Sequence, residues 1–171
     1  MESKKFRQYV GILAAVVFYY LIHEGAHLVS ALAMGVFKSV RFMGVGMQID
    51  VNSELMTSAQ MGIFCAVGAI ATLVAAYVLV ALTGRICKNQ GKLLKSTMYY
   101  ITIAMLLLDP CYLSILCGFF GGGDMNGIAL LIPEAVARVI AGVLLVLNAI
   151  VFWKVVLPQY QKTFAEASDM Q

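Results

Sequence analysis

Two runs restrict what this chain can fold into. Residues 8–37 contain one carboxylate, Glu24, in an otherwise apolar stretch, and residues 55–84 contain no charge at all. A transmembrane helix needs about 20 consecutive, mainly apolar residues, and both runs exceed that. The composition agrees, with 61% hydrophobic and only 12% charged residues and a mean hydropathy of +0.88. These values lie outside the range of water-soluble globules and place the chain in a bilayer. The net charge of +3 is small and sits at the ends of the apolar runs. It therefore fits orientation in a membrane rather than nucleic-acid binding.

The expected fold is all-α, a single transmembrane domain over residues 1–171 with four spans at about 9–34, 59–82, 98–120 and 133–156. The first run is too long to be a removed signal peptide and lacks a small-residue cleavage site; Gly35 is its expected stop. Next, Val45, Met47, Ile49 and Val51 alternate with Gly44, Gly46, Gln48 and Asp50. That is strand periodicity, so a short membrane-edge β-strand or hairpin is expected after the first span. Gly68, Ala69, Ala71, Ala75 and Ala76 give the second span a small-residue face for close helix packing. Asp109-Pro110 falls inside the third span, where proline removes a backbone donor; a broken helix lining a cavity is expected. Gly121–Gly123 then lead into Asp124, residues 128–132 are a candidate re-entrant segment, and Pro133 suits a helix start. A short polar tail follows. The four cysteines show no CxxC pairing and read as small core residues.

The chain's two histidines both fall in His23-Glu24-Gly25-Ala26-His27. At i and i+4 they share one helical face and can reach a single ion. Glu24 lies where it can take a proton from a metal-bound water. An ionisable cluster at membrane depth is expensive, which argues for function; the plainer alternative is a pair of hydrogen-bonded core histidines beside a protonated Glu24. Catalytic zinc normally takes three protein ligands. With no third histidine, the candidates for the last place are Asp50, Glu54, Asp109, Asp124 and Glu134. Asp124 stands first, because a glycine-rich approach leads to it at the right depth. Asp109 stands second, being embedded in an apolar run.

With both ends and the loop after Gly84 in the cytoplasm, nine of the twelve Lys and Arg are inside; Lys38, Arg41 and Arg138 are outside. The positive-inside rule favours that arrangement. Whichever side is which, spans one and three run the same way, so His27 and Asp124 are expected on the same side.

The segment His23–Gly35, HEGAHLVSALAMG, resembles the HExGHxxxAxxxG motif of the site-2 protease family of intramembrane zinc metalloproteases. Residues 66–75, with Gly68 and Thr72, are similar to that family's small-residue second core helix, with Ala69 where proline is common. Asp109-Pro110 resembles its Asn-Pro element, with Asp replacing Asn. Gly123-Asp124, with Ile128 and Ile132-Pro133, resembles the Asp motif of its small, compact members. The resemblance spans about residues 9–157. It implies one zinc per chain held by His23, His27 and Asp124, with Glu24 as catalytic base and Asp109 at a substrate-orienting position. It also implies a membrane-edge strand that pairs with unwound substrate, and a site facing the cytoplasm, whereas the charge count puts His27 in the outer half.

The expected activity is zinc-dependent hydrolysis of a peptide bond in or near a transmembrane segment of a membrane-protein or peptide substrate. The expected location is the lipid bilayer of a prokaryotic cell membrane, as a multi-pass protein, with no nucleic-acid partner. The alternative is a non-catalytic membrane protein, a metal-binding protein or a pseudoprotease serving a partner. Glu24 weighs against it, since a pure binding site needs no base beside its ligand.

Overall fold

The computed structural model describes residues 3–43, 46–120 and 122–169. Gly44 and Val45, part of the expected alternation, and Gly121 lie outside the described residues. The chain is mostly helical. Helix α1 (Lys4–Ala33) leads into an antiparallel hairpin, β1 (Phe37–Met43) and β2 (Gly46–Val51). Helix α2 (Ser58–Cys87), helix α3 (Lys92–Ser114) and the short α4 (Asp124–Ile128) follow. Helix α5 (Glu134–Val151) then runs through a widened π-type turn (Phe152–Val156) into α6 (Leu157–Asp169).

Local chemistry explains the boundaries. The Ser3 hydroxyl caps α1 by accepting from the Phe6 amide at 3.1 Å. Gly35, at φ +69°, ends it in the left-handed conformation that glycine adopts cheaply. Thr57 and Gln60 form a reciprocal capping box at the start of α2. In the hairpin, the pairs Ser39–Asp50, Val40–Ile49 and Arg41–Gln48 are in register, with one irregularity between Phe37 and Ser39. Of the two forms expected for this stretch, the chain adopts the hairpin.

Three helices are long and apolar enough to cross a membrane: Lys4–Ala33, Ser58–Cys87 and the continuous run Glu134–Ala165. At about 1.5 Å per residue, the 30 residues of α1 extend ~45 Å. The exposed faces are apolar: Leu13, Leu21 and Val29 on α1, Ile63, Ile70 and Val74 on α2, Val139, Val143 and Val146 on α5. Conversely, His23, Glu24, His27, Thr72, Asp109 and Asn148 are buried. That distribution inverts the one water imposes.

Helix α3, expected as a span over 98–120, is not among the three apolar helices. It starts earlier, at Lys92, and ends earlier, at Ser114, and its tyrosines, Asp109 and Pro110 lower its apolarity. It packs against α1, α5 and α2, so much of its surface meets protein. The break expected at Asp109-Pro110 does not occur, since Pro110 lies inside a continuous helix. Proline leaves the carbonyl four residues back without its donor. Here that is Leu106, and its oxygen accepts from Asn148 Nδ2 of α5 at 2.7 Å. Asn148 Oδ1 in turn accepts from the Tyr77 hydroxyl of α2 at 2.8 Å. Asn148→Leu should therefore leave the buried Leu106 carbonyl unpaired, release the Tyr77 hydroxyl, and destabilise the protein by about 1–3 kcal/mol. Thermal unfolding in detergent measures this, and an unchanged midpoint would show that the amide does not support the proline.

The final helix also differs from expectation. It does not stop near residue 156 but continues to Asp169. The widened turn at Phe152–Val156 ends two residues before Pro158, which cannot make the regular bond to Lys154. Beyond it, Tyr160 is buried against α3, its ring 5.1 Å from that of Tyr99. The expected polar tail is thus an amphipathic continuation that packs on the bundle. Residues 129–132 form turns after α4 rather than further helix.

Candidate metal centre

One face of α1 carries His23, Glu24 and His27 inward, all buried. Opposite them, α2 presents Phe64, Gly68, Thr72 and Ala76 at four-residue spacing, all buried. The small-residue face foreseen on α2 is therefore centred on Gly68 and Ala76, with Ala69, Ala71 and Ala75 only half-buried. Gly68 faces the Nε2 atoms of both histidines. A Cβ added there would lie 2.5 Å from His27 Nε2 and 2.7 Å from His23 Nε2. Helix α4 seats as closely: a Cβ on Gly127 would strike Cys65 of α2. This packing delivers Asp124, the first residue of α4, to the histidines.

Three ligand atoms converge. His23 Nε2 is 3.1 Å from Asp124 Oδ2, His27 Nε2 is 3.2 Å from His23 Nε2, and His27 Nε2 is 3.6 Å from Asp124 Oδ2. Ligands held tetrahedrally at about 2.0–2.1 Å from zinc are spaced about 3.3 Å apart, so the triangle fits that ion's coordination shell. The donor chemistry fits as well. Two imidazole nitrogens and a carboxylate oxygen share one point, an arrangement a cation between them would satisfy.

Asp109 lies behind His23. Its oxygens are 3.2 and 3.4 Å from His23 Nδ1, one accepts from the Tyr19 hydroxyl at 2.5 Å, and the other accepts from the Thr72 hydroxyl. A carboxylate on Nδ1 orients the ring and favours the tautomer whose Nε2 lone pair would face a cation held between the three groups. Asp109 also lines the cavity. The other candidates for third ligand stay apart. Asp50 pairs with Arg41 at 2.6 Å, Glu134 pairs with Arg138 at 2.8 Å, and Glu54 is exposed on a short turn after the hairpin.

Glu24 points to the hairpin side, where its Oε2 accepts from the Ile49 amide of β2 at 3.2 Å. A cavity of about 310 Å³ opens beside the cluster, lined by His23, Glu24, His27, Asp109, Tyr112 and Asp124 with Met47, Gln48 and Ile49 of β2. Sequence reasoning missed Tyr19, Tyr112 and the Ile49 amide. Tyr19 had a signal, since it precedes His23 by four residues and shares its face. The Ile49 contact had none, because a backbone amide has no residue type. Comparison with protein-family models, with curated proteins and with solved structures returns no match.

Proposed function

We propose that this protein is an intramembrane zinc metalloprotease of the site-2 protease kind, hydrolysing a peptide bond in or near a transmembrane segment of a membrane-protein substrate. The observation that carries the reading is the convergence of the buried His23 and His27 with the half-buried Asp124, and the buried Glu24 next to them, inside an apolar-faced bundle. In this reading α3 forms a fourth span, sheltered by its neighbours, so that its Asp109 meets protein rather than lipid. Zinc bound there would supply Lewis-acid activation of a water and of the scissile carbonyl.

The chain's own groups have distinct tasks. Asp109 orients His23. Glu24, steered by the Ile49 amide, takes the proton of the attacking water and later passes it to the leaving amine. Among the described residues β2 pairs with no strand other than β1, and residues 46–49, whose Ile49 amide is held by Glu24, border the cavity. An unwound substrate segment can add there as a strand, its backbone giving affinity and side-chain pockets selectivity. A substrate helix hides its amides in internal hydrogen bonds, so residues that loosen a helix near the scissile bond should favour cleavage.

The direct test is cleavage of transmembrane-segment peptides by the detergent-purified, zinc-loaded protein. Cleavage should stop on chelation and return with added zinc. Stoichiometric zinc with no cleavage of any peptide would instead favour the non-catalytic metal-binding protein. Cleavage that survives full zinc removal would sink the metal mechanism.

A further inference from the structure

Peptide hydrolysis needs a donor for the oxygen on which negative charge develops, and Asp109, at the position where the related motif carries an amide, is a poor source of one. Its oxygens already accept from Tyr19 and Thr72 and face His23 Nδ1. The cavity wall offers other phenols. The Tyr19 hydroxyl is committed to Asp109, and Tyr20 precedes Glu24 by four residues, on the flank of the base. Tyr112 is on the other flank. It stands one turn beyond Asp109 on α3, lines the cavity, and has its hydroxyl set against Gly123, the residue before Asp124.

That placement is built into the fold. A Cβ on Gly123 would collide with the Tyr112 hydroxyl, and Gly122 and Gly123 take φ of +86° and +44°, conformations that other residues rarely adopt. The Tyr112 ring is anchored in the apolar cluster of Cys117, Met125 and Ala137 beneath α4. Among the described residues its hydroxyl makes no hydrogen bond. The ring thus presents to the cavity an O–H that makes no hydrogen bond among the described residues, on the Asp124 side of the cluster. A base and an oxyanion donor serve different atoms of one tetrahedral centre, so they belong on different flanks.

Resting on the hydrolase reading, we propose that Tyr112 is a further catalytic residue, whose hydroxyl donates a hydrogen bond to the oxyanion of the scissile carbonyl. As the water oxygen bonds to the carbonyl carbon, the C=O π pair moves to oxygen and Glu24 takes the water's proton. Tyr112 keeps its own proton throughout. When the C–N bond breaks, the pair returns to C=O and Glu24 protonates the amine. Charge on the oxygen is greatest between these events, so the bond from Tyr112 is strongest there.

The experiment compares wild type, Tyr112→Phe and the control Tyr20→Phe, purified in detergent and loaded with zinc. Each is assayed with a peptide that the wild type cleaves and with the same peptide carrying a tetrahedral phosphonamidate at the scissile bond. Tyr112→Phe should lower kcat by about 100-fold with KM within about twofold and zinc content unchanged. By the same logic, calorimetry should show it binding the phosphonamidate at least ~10-fold more weakly. Tyr20→Phe should match wild type in every readout. An unchanged kcat or phosphonamidate affinity in Tyr112→Phe overturns the proposal, as does loss of zinc, which would make Tyr112 a structural support. The same losses in Tyr20→Phe would move the donor to α1. If the wild type cleaves no peptide, the hydrolase reading falls first and this inference with it.

Discussion

Gly68→Val should empty the metal site although it alters no ligand. The added carbons start within 2.5 Å of His27 Nε2 and 2.7 Å of His23 Nε2, much closer than non-bonded carbon and nitrogen approach. They would fill the space that the two Nε2 atoms face and push both imidazoles off their shared point. Helix α2 cannot retreat easily, because Thr72 on the same face bonds Asp109 and Phe64 packs on His27, ring centres 4.8 Å apart. Zinc per chain, measured by atomic emission after purification in detergent, should be about one for wild type, the count expected of a three-ligand site. It should be near zero for Gly68→Val and for Asp124→Ala. Asp109→Asn should still bind zinc, with affinity lower by about 10–100-fold, because it weakens the orientation of His23 without removing a ligand. Full zinc in Gly68→Val would mean that the ion sits elsewhere. Loss on changing Asp109 together with retention in Asp124→Ala would transfer the third ligand to α3.

The second large effect concerns Glu24. Glu24→Gln keeps the size of the side chain and an oxygen that can accept from the Ile49 amide, so the hairpin contact and the metal ligands should survive. It removes the proton acceptor. Cleavage should fall by about 10²–10⁴-fold, the range of a lost general base, while zinc content stays at the wild-type level. Retained cleavage at wild-type zinc would rule out Glu24 as the base. Loss of zinc together with cleavage would show instead that Glu24 helps hold the site together.

Much of this arrangement was legible before the tertiary structure. Amphipathic spacing is local, so the shared face of His23 and His27 followed from a four-residue interval. The alternation around Met47 to Val51 announced a strand, and Gly35 announced the stop of α1. The Asp109-Pro110 dipeptide misled: its local chemistry favours a broken helix, whereas α3 is continuous and Asn148 of α5, 42 residues after Leu106, supplies the donor that the Leu106 carbonyl lacks. No local rule links those two positions. The end of the last helix misled for a similar reason. A polar tail reads as loose chain until Tyr160 is seen buried beside Tyr99.

The choice between Asp109 and Asp124 separates the two levels of information. Sequence placed both carboxylates at the depth of the histidines and allowed either to complete a metal site, because depth depends only on position along a span. Tertiary packing placed them. Gly68 and Gly127 let α2 approach α1 and α4 closely, which brings Asp124 to the Nε2 side of the two imidazoles. Thr72 and Tyr19 hold Asp109 on the Nδ1 side of His23. The direction in which a carboxylate faces a ring depends on helix separation and rotation. Those are set by which side chains are small enough to let the backbones meet.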